Sequence, residues 1–179
     1  FEEYASGAPT IVGHANAKGA MSVGALRYTT GSATPTIEAF SSIGGTAVRT
    51  PTGLENRNKP DFAAFNGGDN TVLGLDTDDD GLFPNFFGTS AAAPHAAASA
   101  VLLLQAREKF YKPANVSSSD FFKTQFTPAD VRALFKSTAL PLGSANAAGS
   151  GAIRAEEAIK TFANARPIIN SIDVTPTTG

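Results

Sequence analysis

The sequence predicts an α/β protein, and two observations carry that prediction. First, short apolar runs at residues 10–12, 20–26 and 61–65 have the length of strands and are flanked by Gly, Pro and small polar residues. Second, an alanine-rich stretch at residues 91–111 places Leu, Ala and Phe at helical spacing. Because 179 residues are enough for one domain, we expect these strands and helices to share a core.

The segments between these elements are less regular. A further strand is predicted at residues 71–75, where the sequence is Thr-Val-Leu-Gly-Leu. Residues 14–19 and 29–36 are small or polar and predict loops. Residues 46–60 are polar and interrupted by Pro, so they predict exposed surface sequence.

The helices have recognisable starts. The stretch at residues 91–111 carries so many alanines that we expect neighbours to approach it closely and to bury it on nearly all sides. Pro94 is tolerated because the first-turn amides of a helix have no intrahelical acceptor. A second helix is predicted to begin after Thr127, with Asp130 as its capping-box partner. A third helix is predicted over residues 154–162.

Composition excludes several functions. The net charge is −2 and no long basic cluster occurs, so nucleic-acid binding is not expected. The chain has no cysteine, which excludes disulfides, zinc–thiolate sites and a cysteine nucleophile. The longest unbroken apolar run, at residues 100–104, is far short of the roughly 20 residues that cross a bilayer, so no membrane partner is expected.

The strongest chemical signal is Ser90, which follows Gly88 and Thr89 directly before the alanine-rich helix. A helix N-terminus offers unpaired amides and a partial positive charge of about half an elementary unit. A serine there can present its hydroxyl to a substrate while its own N–H helps to hold an oxyanion. Gly88 permits close passage of a substrate backbone. The plainer interpretation is that Ser90 only caps the helix.

The wider sequence favours the catalytic interpretation. Residues 88–95, Gly-Thr-Ser-Ala-Ala-Ala-Pro-His, resemble the nucleophile motif of the subtilisin-like serine proteases, with Ala91 where Met is commoner. Other blocks resemble the same family and follow its order along the chain. They are residues 12–14 with 22–25, residues 40–44, residues 59–64 and residues 149–155 with Ala158.

The resemblance implies a three-layer α/β fold with a mostly parallel sheet, of which this chain supplies the later portion. Residues 1–165 would be the C-terminal portion of the peptidase domain. Residues 166–179, with a strand-like run and a Thr- and Pro-rich end, would be a tail or linker towards a further domain. A bacterial protein that is secreted or held at the cell surface is expected.

The resemblance also implies a serine endopeptidase that acts on protein or peptide substrates, needs no cofactor for chemistry and forms an acyl-enzyme at Ser90. The family's Asp, His and oxyanion-hole Asn are expected upstream of Phe1. The site would then be completed by that missing N-terminal part or by another chain. Gly88 and Thr89 would contact substrate, and Gly13 matches the base of the family's specificity pocket. An esterase of the Gly-x-Ser-x-Gly type fits poorly, because Ala91 and Ala92 follow the serine.

Neither histidine in the chain is expected to serve as the base. His95 lies five positions after Ser90, which on a helix is about 140° around and about 7.5 Å along the axis. His14 is expected to have a local structural role. Without a base, a serine hydroxyl is a poor nucleophile, so these residues alone are expected to be inactive. An inactive subtilase-like fragment that serves as a binding or structural module is the alternative.

A calcium site is a second chemical prediction. Asp76, Asp78 and Asp80, followed by Gly81, match the first half of an EF-hand-type loop. The twelfth position is Phe87, so the usual bidentate Glu is missing. A solvated acidic hairpin tip is the alternative to a structural calcium ion.

Overall fold

A computed structural model describes residues 8–30, 33–72, 74–76, 81 and 83–163 of the chain. Four strands and five helices lie in these ranges. The strands are β1 (Val23–Arg27), β2 (Ala47–Thr50), β3 (Gly53–Asn56) and β4 (Phe62–Asn66). The helices are α1 (Thr89–Tyr111), α2 (Ser118–Thr124), α3 (Pro128–Thr138), α4 (Ala145–Ala148) and α5 (Ala155–Ala163).

The centre of the fold is a parallel pair of strands. β1 and β4 pair in the register that sets Val23 opposite Phe62 and Arg27 opposite Asn66. Single bridges extend this pair on both sides, from Leu26 to Ile37 and from Ala63 to Ala152. The separate antiparallel hairpin β2–β3 lies in the connection between the parallel strands.

The two faces of the parallel pair are packed separately, because neighbouring residues of a strand point to opposite sides. On one face, Ala25 and Phe62 join the buried side chains of α1, α3 and α5. On the other face, Leu26 and Ala63 pack with Ala148 of α4 and with Ala152, the residue that bridges to Ala63. The prediction of a layered α/β fold with a parallel sheet is confirmed.

Gly24 explains how α4 can lie so close to β1. A Cβ atom at this position would lie 2.9 Å from the carbonyl oxygen of Ala147, which is closer than real Cβ contacts allow. The absence of a side chain therefore lets the helix backbone approach the strand.

The long helix α1 begins two residues earlier than predicted and is buried on one face only. Its buried residues are Ala92, Ala96, Ser99 and Leu103, which recur every three or four positions. Leu103 is 0% exposed, whereas the adjacent Leu102 is 54% exposed. The expectation of burial on nearly all sides was therefore wrong for the described part of the chain. The alanines allow close approach to β1 and β4, but these strands cover a single face.

Helices α2 and α3 start where side chains cap them. Thr127 and Asp130 form the predicted capping box of α3, with the Asp130 carboxylate accepting from the Thr127 amide at 2.7 Å. Helix α2 was not predicted, although Ser117 accepts a hydrogen bond from the Asp120 amide at 3.1 Å. Its short length hid it in the sequence, because seven residues give too few turns for a periodic pattern.

Two predicted strands are absent from the ranges that the structure describes. Residues 10–12 form no ladder, although the amides of Thr10 and Ile11 both donate to the carbonyl of Ile43. In residues 71–75 only Leu75 makes a bridge, to Asn85, and Leu73 lies outside the described residues. Each segment is held by isolated bonds, because no strand among the described residues runs alongside it.

Three other predictions can be placed. The loop prediction at residues 14–19 gives way partly to a 3-10 turn at Gly13–Asn16. The surface prediction for residues 46–60 missed the hairpin β2–β3. The tail prediction for residues 166–179 lies outside the described residues, so the domain division stays a prediction. Across the described ranges, no helix combines the length and apolar content that a membrane span requires.

Candidate active site

Ser90 lies in the first turn of α1, and its residue surface is exposed. Gly88 precedes the helix with φ of 116°, a left-handed value that residues with a side chain rarely adopt. The carbonyl of Gly88 accepts from the amides of Ala91 and Ala92 at 3.0 and 3.2 Å. The amide of Ser90 donates to no residue in the described ranges, as expected for a first-turn amide. The turn therefore presents a hydroxyl and a free N–H at one point.

Asn66 anchors this turn to the sheet. Its Oδ1 accepts from the amide of Gly88 at 3.0 Å, and its Nδ2 donates to the carbonyl of Leu26 at 2.7 Å. Nδ2 also lies 3.4 Å from Oε1 of Glu38, which in turn pairs with Arg27 at 3.4 Å. Asn66 is the last residue of β4, so the turn is attached to the carboxyl end of the parallel pair. Ligands of open α/β sheets characteristically bind at this end.

Asn66 was missed by the sequence analysis. An Asn at the end of a buried strand is a detectable signal, because a buried amide must find partners. The sequence gives no indication that these partners are Leu26 and Gly88, which are separated from Asn66 by 40 and 22 positions.

A cavity of about 330 Å³ opens beside the first turn of α1. Thr89 and Ala93 form one wall, and Met21, Ser22 and Val23 at the start of β1 form another. Ile11, Val12 and Ala15 close it from the segment around the 3-10 turn. Its lining is mostly apolar.

The predicted substrate residues are distributed around this cavity. Thr89 lines the cavity, and Gly88 and Ser90 are its neighbours in sequence. Gly13 adopts φ of 59° between the lining residues Val12 and Ala15, and a Cβ atom there would meet nothing within 4 Å. The assignment of Gly13, Gly88 and Thr89 to substrate binding stays a prediction.

Comparison with known protein families identifies the chain. The subtilase family of peptidases matches residues 5–155, which is most of the sequence. The chain belongs to the subtilase family. This confirms the family resemblance that the motifs indicated.

Comparison with solved structures supports the same fold. The chain is similar to the Clostridium perfringens CspB protease, with 22% sequence identity, a TM-score of 0.51 and 86% of this chain covered. At that identity the likeness shows a shared fold. The chain spans 29% of the length of the clostridial protein. The comparison with curated proteins found no match.

Neither histidine of this subtilase chain is bonded to Ser90 in the described structure. His95 is exposed on α1, and its ring lies 6.4 Å from that of Phe65. His14 is exposed in the 3-10 turn. The described residues therefore bring together Ser90, its unbonded amide and an apolar cavity, and neither His14 nor His95 is bonded to the serine.

The acidic loop is only partly described. Oδ2 of the exposed Asp76 accepts a hydrogen bond from the amide of Gly81 at 3.0 Å. Asp78 and Asp80 lie outside the described residues. Within the described ranges, no group of three or more His, Asp or Glu side chains is placed to hold a metal ion. The structural calcium ion at Asp76, Asp78 and Asp80 stays a prediction.

Proposed function

We propose that this chain is the nucleophile-bearing part of a serine endopeptidase and that Ser90 attacks the peptide carbonyl. The observation that carries the proposal is the exposed Ser90 in the first turn of α1, directly after the left-handed Gly88, in a chain of the subtilase family. An exposed hydroxyl beside a free helix amide is the arrangement that nucleophilic acyl transfer requires.

The chemistry follows from these groups. The Ser90 oxygen bonds to the carbonyl carbon while a histidine supplied from outside these residues takes its proton. The Ser90 amide donates to the oxyanion as negative charge develops, and the same histidine then protonates the leaving amine. Water hydrolyses the resulting acyl-enzyme. No cofactor takes part in these steps.

The cavity beside Ser90 is proposed to receive one side chain of a protein or peptide substrate. Thr89 forms its wall next to the nucleophile, and Gly13 adds no side chain near Val12. A volume of about 330 Å³ with apolar walls accepts a large apolar side chain.

The remaining catalytic groups are proposed to come from a preceding part of the protein or from another chain. The family's Asp, His and oxyanion-hole Asn would complete the site. In the described structure, large apolar residues on α1 are exposed, including Val101, Leu102 and Phe110, as expected for a surface that another part covers. The complete protein is proposed to be bacterial and to work outside the cell or on its surface.

The alternative proposal is an inactive subtilase-like fragment that acts as a binding or structural module. It is consistent with the exposed positions of His14 and His95, neither of which is bonded to Ser90 in the described structure. The residues that precede Phe1 separate the two proposals, because the peptidase needs an Asp and a His there.

A fluorophosphonate probe tests the nucleophile directly. The chain of residues 1–179 should not be labelled, whereas the same chain extended upstream should be labelled at Ser90, as located by mass spectrometry. The extended Ser90→Ala variant should lose the label, and the extended Ser137→Ala variant, which changes another surface serine, should keep it. Failure to label an extended chain would favour the inactive module. Stoichiometric labelling of the 179-residue chain would refute the proposal that the base comes from outside these residues.

A further inference from the structure

Arg132 of α3 makes an unusual set of contacts with the loop before β1. Its Nη1 donates to the carbonyl of Lys18 at 3.2 Å. Its Nη2 donates to the carbonyls of Gly19 and Ala20, both at 2.8 Å. One guanidinium group thus binds three successive backbone carbonyls that lie more than 100 positions away in sequence.

A second cation occupies the same place. The ammonium group of Lys59 donates to the carbonyl of Ala20 and to Oδ2 of Asp61, the latter at 2.8 Å. Nε of Arg132 lies 3.4 Å from Oδ1 of the same carboxylate. The side chains of Lys59 and Asp61 are only 4% and 5% exposed, and that of Arg132 is 27% exposed. Burial of these charges is tolerated only because each has a partner.

The oxygen atoms at this place are those that hard metal ions prefer. Backbone carbonyls and a carboxylate are the usual ligands of calcium in proteins. Three successive carbonyls that share one guanidinium group cannot bond one another, so they need a cation or hydrogen-bond donors. Here Arg132 bonds all three carbonyls, and Lys59 bonds the carbonyl of Ala20 as well.

We propose that the carbonyls of residues 18–20 and the Asp61 carboxylate form a cation cage that this chain fills with Lys59 and Arg132 instead of a metal ion. The two side chains fix the loop in the conformation that a bound ion would otherwise impose. The cage is distinct from the acidic loop at Asp76, and it does not depend on the proposed peptidase activity.

The cage also acts on the candidate substrate cavity. Oδ2 of Asp61 accepts from the amide of Ser22 at 3.0 Å, and Ser22 lines the cavity next to Met21. Lys59 and Arg132 are therefore positioning residues for the cavity wall at the start of β1. Their importance for substrate binding, unlike the cage itself, rests on the proposed function.

The test removes the cationic groups of Lys59 and Arg132 and measures whether a metal ion then binds in their place. All proteins carry Asp78→Asn and Asp80→Asn, so that the acidic loop cannot contribute. Thermal unfolding is followed in EDTA and in millimolar calcium chloride for this parent, for Arg132→Gln and for Lys59→Met with Arg132→Gln. Arg154→Gln is the matched control, because Arg154 is an arginine that donates to a single carbonyl, that of Thr138, at 3.0 Å.

We expect the same melting temperature for the parent with and without calcium. Arg132→Gln should melt about 5 °C or more below the parent, and Arg154→Gln within about 2 °C of it. The double variant should melt lowest in EDTA and should regain at least about 3 °C in calcium, because an ion that binds only the folded state stabilises it. If calcium changes the melting temperature of the parent and of the double variant equally, the proposed cage is rejected.

If the double variant does not fold, hydrogen exchange of Arg132→Gln decides. The amides of residues 19–22 should exchange at least about tenfold faster than in the parent, with the amides of α5 unchanged. Uniformly faster exchange in both regions would mean that Arg132 only contributes to general stability, and the cage would be rejected. Neither measurement involves proteolysis, so an inactive chain leaves this test unaffected.

Discussion

The side-chain oxygen of Asn66 accepts a hydrogen bond from the amide of Gly88 at 3.0 Å, two positions before the candidate nucleophile Ser90. The same side chain donates to the carbonyl of Leu26 at 2.7 Å. One buried amide therefore fixes the serine turn to the ends of both parallel strands, and the position of Ser90 depends on it.

Replacing Asn66 with Ala should destabilise the protein by about 2–3 kcal/mol, because the Gly88 amide and the Leu26 carbonyl would be left without a partner. Urea unfolding measures this loss. The exposed Asn58→Ala is the control and should change the free energy of unfolding by less than about 0.5 kcal/mol. Equal effects of the two substitutions would contradict the role given to Asn66.

Two adjacent leucines on α1 test the one-sided burial of this helix. Leu103→Ala should cost about 2–5 kcal/mol, because Leu103 is fully buried and its loss leaves a cavity. Leu102→Ala should cost less than about 1 kcal/mol, since Leu102 is largely exposed. Denaturant unfolding of the two variants measures both losses in the free energy of unfolding. A large loss for Leu102→Ala would show that another copy or segment covers that face in solution.

The α3 capping box predicts a pH dependence. Hydrogen bonds from the Thr127 side chain and backbone hold the pKa of Asp130 below its ordinary value. A lowered pKa in the folded state means that this stabilisation is present above the unfolded pKa and is lost as the pH falls through the folded pKa. The melting temperature of Asp130→Asn should therefore lie below that of the natural chain at neutral pH. The two should converge in acid, and a constant gap would contradict the mechanism.

The acidic loop gives a prediction about metal removal. If Asp76, Asp78 and Asp80 hold calcium, excess calcium should raise the melting temperature above that in EDTA, by a margin that grows with calcium concentration. Asp78→Asn with Asp80→Asn should abolish that difference. Identical melting temperatures for the natural chain in both conditions would leave the loop as a solvated hairpin tip.

Local patterns in the sequence predicted the elements that local chemistry fixes. The capping box at Thr127 started α3 as expected, because the hydrogen bonds involved lie within four residues. Strands β1 and β4 were found within a few residues of their bounds, since their apolar runs are short and well delimited. The segment at residues 10–12 has the composition of a strand, but in the part of the chain that the structure describes no strand runs alongside it.

The sequence by itself determined the family, the order of its motifs and Ser90 as the candidate nucleophile. The tertiary structure decided what surrounds these residues: Asn66 beneath the serine turn, a single buried face on α1, and Arg132 on the carbonyls of residues 18–20. The physical reason is distance along the chain. A turn or a cap depends on neighbours within a few residues, whereas an anchor or a cage joins atoms separated by 22 to 114 positions, which no local pattern records.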